Sequence, residues 1–235
     1  MLLTAGCSFV WGDELEGFDQ DPPEYENRGV CGACNDKIFR EVTDFIHDNP
    51  NKVTHMVVMW SAWQRSELVE YMPPEREVKI GRQTDVTQFS SLRTEMIYHK
   101  SKRDIMERWF NEAYDSKTDI LHTITKMKML ESYCDAAGIN LIQGVFHKRN
   151  WSNIMSILTD KHPKQKIDTL PHFKKWLIGS LESLDDNSRI GMGKGKDLYT
   201  LCKELNDMKD FGHPGEKTQV VFANRLHEIF AKSSQ

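Results

Sequence analysis

The sequence has no apolar run near the ~18 residues that a membrane-spanning helix needs. It opens Met1-Leu2-Leu3-Thr4-Ala5-Gly6, with neither a basic start nor a long apolar stretch, so no secretory signal is expected. Cysteine is scarce and odd in number: Cys7, Cys31, Cys34, Cys134 and Cys202. Five thiols scattered through 235 residues do not form a disulfide framework, which points to a reducing compartment. Cys31 and Cys34 have Cys-x-x-Cys spacing, but no second pair completes a structural zinc site, and no metal is expected. Charge of one sign is also lacking. With 31 basic and 35 acidic residues the net charge is −4, which argues against a dedicated nucleic-acid module. Internal repeats, low-complexity tracts and a clean linker are absent. A cytoplasmic protein with no membrane or nucleic-acid partner is the resulting expectation.

What is present is enough apolar and aromatic sequence, 39% and 10%, to bury one sizeable core rather than stay disordered. Residues 2–5 form a short apolar run stopped by Gly6, a predicted buried strand. Residues 35–48 carry Ile38, Phe39, Val42, Phe45 and Ile46 at helical spacing, with Asn35 or Asp36 as N-cap. Residues 53–60 (VTHMVVMW) are the clearest strand, apolar enough for a sheet covered on both faces. A helix is expected from about Asp104 to Ala137, broken near Asp115, with a stripe of Ile120, Ile124, Met127, Leu130 and Cys134. Residues 140–146 (NLIQGVF) read as another strand, and 218–232 as a final helix. Residues 62–103 and 147–196 look polar and irregular, the first with at most a short helix. The alternation predicts a single α/β domain over 1–235: a three-layer α/β/α sandwich around a parallel sheet, with these two polar insertions.

In such folds ligands bind where loops leave the carboxyl ends of the strands. Ser8 follows the first strand in Gly6-Cys7-Ser8-Phe9-Val10-Trp11-Gly12, where a glycine-permitted turn would expose its hydroxyl for attack. A capping serine at a helix start is the plainer alternative. Near the other end lies Asp210-Phe211-Gly212-His213-Pro214. A carboxylate three residues before a histidine can hold the imidazole in one tautomer, so that it serves as general base. A loop that merely caps the final helix would look the same.

Together, Gly-x-Ser near the start, Asp-x-x-His near the end and the α/β pattern between them resemble the SGNH (GDSL-type) hydrolase family. Asn27-Arg28-Gly29-Val30-Cys31-Gly32 is similar to that family's second block. Residues 32–38 (GACNDKI) look like a variant found in SGNH-like proteins of large phages and their hosts. The resemblance implies a flavodoxin-like SGNH fold and a triad of Ser8, His213 and Asp210. It also implies an acyl-enzyme route needing no cofactor, a small acyl-ester or O-acetylated substrate, and an oxyanion contact at Gly32. It fails at the third block. The family's Gly-x-Asn-Asp is replaced by Trp60-Ser61-Ala62-Trp63-Gln64-Arg65, so Ser61 or Asn35 is left to stand in for the missing asparagine. Arg65 is a candidate contact for a substrate carboxylate or phosphate, or one half of an ion pair.

Three other signals compete. Asp160-Lys161-His162-Pro163 imitates the last block with the carboxylate one residue too close. Residues 191–196 (GMGKGK) lack the phosphate-loop spacing and no good strand precedes them, so a mobile loop bordering the site is expected. Trp60, Trp63, Trp109, Trp151 and Trp176 are core candidates, of which one or two would suit a sugar face. Besides the esterase, two readings stay open: a binding or structural protein on the same scaffold, and a redox protein using Cys31 and Cys34.

Overall fold

The computed structural model describes residues 1–7, 10, 25–30, 33–62, 67–71, 87–91, 116–145, 148–161, 171–182, 189–192, 197–209 and 213–233. Five strands make one sheet: β1 (Leu2–Gly6), β2 (Tyr25–Gly29), β3 (His55–Trp60), β6 (Asn140–Val145) and the two-residue β7 (Arg189–Ile190). All four pairings are parallel. The spatial order is β2-β1-β3-β6-β7. Counted within this sheet that is 2-1-3-4-5, so the winding reverses between β1 and β3. A separate antiparallel ribbon pairs β4 (Glu67–Tyr71) with β5 (Thr87–Ser91).

Among the described residues six helices lie between and after the strands: α1 (Asn35–Asp48), α2 (Ser116–Ala137), α3 (Lys148–Leu158), α4 (Pro171–Glu182), α5 (Leu198–Glu204) and α6 (Glu216–Ser233). The strands' period of two sorts their side chains onto two faces. Leu3, Ala5, Met56, Val58 and Trp60 share one apolar cluster with Ile38 and Val42 of α1, Ile120, Ile124, Met127 and Leu130 of α2, and residues of α3 and α4. Val57, Met59 and Ile142 share the other with Leu198 of α5 and Phe222 and Leu226 of α6. Helices thus cover both faces, and β3 (HMVVMW) reads as a near-continuous apolar run because neither of its faces meets water. Among the described residues no helix is long and apolar enough to cross a membrane.

Several expectations change. The stretch 147–196 is not irregular: it holds α3, α4 and β7. Its polar residues hide a helical spacing, since Trp151, Ile154, Ile157 and Leu158 recur on one side of α3 and are all buried. Within 62–103 the described element is the β4–β5 ribbon, and the rest of the stretch after Ala62, where a short helix was expected, lies outside the described residues. The GMGKGK stretch does follow a strand, because β7 pairs with β6 through Gln143↔Arg189 and Gly144↔Ile190, and residues 193–196 lie outside the described set. Two residues are too few to register as an apolar run. The helix expected from Asp104 is described from Ser116 onward, and residues 104–115 lie outside the described set. The N-cap of α1 is Cys34, not Asn35 or Asp36, and its side chain does not cap.

Candidate functional site

Three segments reach the carboxyl edge of the sheet around the reversal point. The first leaves β1. Val10 donates its N–H to the Cys7 carbonyl at 2.9 Å, closing a turn. Gly6 makes this turn compatible with the sheet: a Cβ there would sit 2.5 Å from Val10 Cγ2 and 3.0 Å from the Met59 carbonyl. Asn27 of β2 fastens the turn from the side. Its Nδ2 donates to the Val10 carbonyl at 3.0 Å, while its Oδ1 accepts from the Gly29 N–H at 2.8 Å and from Thr4 Oγ1 at 3.3 Å. Ser8, the predicted nucleophile, lies outside the described residues, between Cys7 and Val10.

The second segment leaves β3 and meets the start of α1. Asn35 is 3% exposed. Its side chain grips the backbone of Ser61 in the manner of a strand partner: Oδ1 accepts the Ser61 N–H at 2.8 Å, and Nδ2 donates to the Ser61 carbonyl at 3.3 Å. The same Nδ2 donates to Thr123 Oγ1 of α2 at 3.0 Å. Both amide protons are therefore in use, and the two acceptors are buried. One side chain thus ties β3, α1 and α2 together at the carboxyl edge. Just below, Trp60 Nε1 donates to Gln143 Oε1 at 2.9 Å, so the polar atoms of the buried β3–β6 seam are satisfied.

The third segment is the loop before α6. Residues 207–209 and 213–215 pair with each other. Met208 and Pro214 form an antiparallel bridge, Lys209 donates its N–H to the His213 carbonyl at 2.8 Å, and Gly215 donates to the Asp207 carbonyl at 2.7 Å. Asp207 anchors this hairpin. Its N–H donates to the Cys202 carbonyl at 3.0 Å, and its carboxylate accepts the Thr218 N–H at 2.7 Å, capping α6 from a distance. Gly215 lies directly beneath that carboxylate; a Cβ would be 2.3 Å from Asp207 Oδ1. His213 is partly buried and its Nδ1 is shielded from solvent.

The direction of α6 brings His213 to the same edge. Phe230, near the end of α6, meets His55, the first residue of β3, edge to face with centroids 4.8 Å apart. The 15 residues from Glu216 to Phe230 span about 21 Å of helix, and the six residues of β3 span about 17 Å. With Phe222 and Leu226 packed on the Val57 and Met59 face, α6 runs back along β3 and its start lies about 4 Å past the strand's end, three residues after His213.

Of the predicted site residues, the structure brings Asn35 and Ser61 into contact and carries His213 to their edge of the sheet. Ser8, Gly32, Arg65 and Asp210 lie outside the described residues. The competing motif at Asp160 belongs elsewhere. Asp160 sits just after α3, a helix that leaves the carboxyl end of β6, and its carboxylate pairs with Lys174 of α4. Cys34 is a buried thiol without a disulfide, and Cys31 lies outside the described residues. Trp60 and Trp151 are core residues, Trp176 is half exposed on α4, and Trp63 and Trp109 fall outside the described set.

A cavity of about 210 Å³ lined by Ile46, Pro50, Val53, Tyr133 and Ile139 lies between the ends of α1 and α2, at the opposite edge of the sheet. It is remote from these segments. Sequence reasoning missed three positioning residues: Asn27, Thr123 and Asp207. Asn27 stood inside the second block without a role. Asp207 had a readable signal, since it precedes the start of the final helix by a turn-sized interval rich in glycine and proline. Thr123 had none, being 88 residues from its partner. Neither a scan against protein-family models nor a search of curated proteins returns a match to this chain.

Proposed function

We propose that the chain is a serine esterase of the SGNH type, cleaving a small acyl or acetyl ester. The observation that supports this best is the convergence at the carboxyl edge. The turn after β1 and the residue after β3 flank the point where the winding reverses, and His213 arrives at the same edge before α6. That is where a parallel α/β sheet offers a crevice.

In this reading Ser8 Oγ attacks the ester carbonyl carbon as His213 takes the hydroxyl proton. The carbonyl π pair moves onto oxygen, and Asp210 stabilises the imidazolium. Backbone N–H groups, including those of Ser8 and Gly32, receive the oxyanion. Collapse breaks the bond to the alcohol oxygen, which leaves with the proton from His213. Water, deprotonated by His213, then hydrolyses the acyl-enzyme and restores Ser8. The chemistry needs no metal or organic cofactor.

The test is hydrolysis of p-nitrophenyl acetate together with labelling by a fluorophosphonate. Turnover that Ser8→Ala and His213→Ala each abolish supports the proposal; a wild-type protein that neither turns over nor labels at Ser8 sinks it. One observation favours a second reading, a binding protein on the same scaffold. The residue after β3 is a serine, and the amide of Asn35 is fully committed to structure, so no side-chain amide of these two residues is left to donate to an oxyanion. An inactive, unlabelled protein would favour that reading.

A further inference from the structure

The cavity of about 210 Å³ at the amino edge of the sheet lies where α1 and α2 both end. Its floor is apolar: Ile46, Val53 and Ile139 line it and are at most 7% exposed. Tyr133 of α2 lines it too and is 44% exposed, so its ring borders both the cavity and solvent.

The backbone around this floor is rich in acceptors. The carbonyls of a helix point along its axis toward the carboxyl end, and those of the last turn have no partner within the helix. At the end of α1 the donors crowd onto one carbonyl. The N–H and the Nδ2 of Asn49 both donate to the Phe45 carbonyl, each at 3.0 Å. The Ile46 carbonyl would next receive the N–H of residue 50, which is a proline and has none. The His47 carbonyl would receive that of Asn51, which instead takes a left-handed φ of 64°. Among the described residues nothing donates to either carbonyl. The end of α2 is similar. Gly138, at φ 67°, donates to the Asp135 carbonyl at 3.3 Å, Ile139 donates to that of Cys134 at 2.8 Å, and the Asn140 N–H goes to the Thr54 carbonyl. The Ala137 carbonyl is thereby left without a donor among the described residues. Ile46, His47 and Ala137 all line the cavity.

Two helix carboxyl ends, each equivalent to about half a negative charge, thus meet at one apolar hollow. Asp48 and Asp135 add carboxylates to the two last turns, where the dipole disfavours them. His47 is the basic residue in the last turn of α1, and the last turn of α2 has none. Lys52, which follows α1, gives its ammonium to Asn49 Oδ1 at 3.1 Å.

We propose that this cavity binds a small primary ammonium with an aryl or short alkyl body. The ammonium takes the open carbonyls at the two helix ends, and the body lies over Ile46, Val53 and Ile139 beside the Tyr133 ring. The volume suits one ring with a short side chain and is below that of pockets for drug-sized ligands, so the occupant is a free amine of small size. The site involves neither Ser8 nor His213 and stands or falls apart from the esterase reading.

The experiment titrates the whole chain at neutral pH with 2-phenylethylamine, followed by amide NMR. Parallel titrations use 2-phenylethanol and 3-phenylpropionate, which keep the shape without the positive charge, and Nα-acetyl-lysine amide, which stands in for a lysine of a partner chain. The amine should give saturable shifts at residues 46–53 and 133–139. The alcohol and the lysine amide should bind about tenfold more weakly, and the carboxylate should give no saturable shift. Ala137→Arg changes an exposed residue at a helix end that favours a cation, so it should keep the melting temperature and weaken the amine about tenfold by holding a guanidinium in its place. Tyr133→Leu should weaken it about two- to fivefold, the share of a cation–π contact. No saturable shift with the amine, an alcohol that binds equally well, or a folded Ala137→Arg variant that binds like wild type overturns the ammonium site. Tighter binding of the lysine amide than of 2-phenylethylamine overturns the assignment to a free amine.

Discussion

Replacing Asn35 by alanine isolates what the clamp contributes to folding. The change removes three hydrogen bonds, two of them to the Ser61 backbone and one to the Thr123 hydroxyl. Water cannot easily replace the lost partner, because Ser61 and Thr123 are 7% and 6% exposed. A buried hydrogen bond contributes about 1 kcal/mol net, and a buried group left without its partner costs about 1–3 kcal/mol. Three bonds with partial relaxation give a loss of about 3 kcal/mol. For a chain of this size that lowers Tm by about 6–12 °C. Urea unfolding followed by tryptophan fluorescence reads the loss as a lower midpoint with unchanged slope. The network also makes a prediction about coupling. Thr123→Val removes the hydroxyl and keeps the shape, so in a double-mutant cycle with Asn35→Ala the two losses should be non-additive by about 0.5–1.5 kcal/mol. A loss below about 1 kcal/mol for Asn35→Ala, or strict additivity with Thr123→Val, would refute the argument that this side chain holds three elements together.

Gly6→Ala should destabilise the protein and lower any Ser8-dependent turnover, since the new Cβ has no room beside Val10 and the Met59 carbonyl; a melting temperature and kcat equal to wild type would contradict this. Asp207→Ala removes a cap and frees the loop that carries His213, costing about 1–2 kcal/mol by urea unfolding; Asp207→Asn should cost less, because it keeps an acceptor for the Thr218 N–H. Burial pushes the Cys134 thiol up to about 12, with the Asp135 carboxylate adding to the rise, and burial also raises that of Cys202. Cys7, Cys34, Cys134 and Cys202 should accordingly react with a disulfide reagent only after denaturation, and rapid labelling of any of the four in the native protein would count against the packing. Burial, helped by the positive N-terminus, lowers the His55 value below its ordinary 6.5. The unfolded chain then binds that proton more readily, so His55 contributes stability above about pH 6.5 that is lost as pH falls through its lowered value. His55→Gln should flatten this part of the stability profile between pH 5 and 7.

The parts of the fold legible in the sequence are those whose signal is local. Strands β1, β3 and β6 are apolar runs ended by a glycine or a polar residue, and α2 and α6 carry apolar stripes wide enough to count. Helices α3 and α4 escaped because their buried residues are few and separated by lysine, asparagine and serine, so the stripe that packs them is drowned by the faces that do not. Strand β7 escaped because its two residues owe their conformation to β6. The site divides in the same way. The turn after Gly6 and the loop ending at His213 are short motifs that chain order alone makes visible. Asn35 was visible as a residue type at a helix start, and its N-cap reading is the local one. Its actual role depends on Ser61 and Thr123, 26 and 88 residues away, and no local pattern announces a partner at that range.

The order β2-β1-β3-β6-β7 sets a timetable for synthesis. Strand β1 belongs in the middle of the sheet, and it must wait for β3, whose pairing starts 53 positions later at His55. The face formed by Val57, Met59 and Ile142 waits far longer for the helix that covers it, because α6 begins only at Glu216. A nascent chain therefore carries this apolar sheet face without α6 until residues 216–233 have been made. Contacts this distant in sequence form slowly, and uncovered strands invite pairing with other chains. The yield of native protein should thus depend on chaperone supply and on translation speed between β6 and α6, more than on the stability of the finished fold.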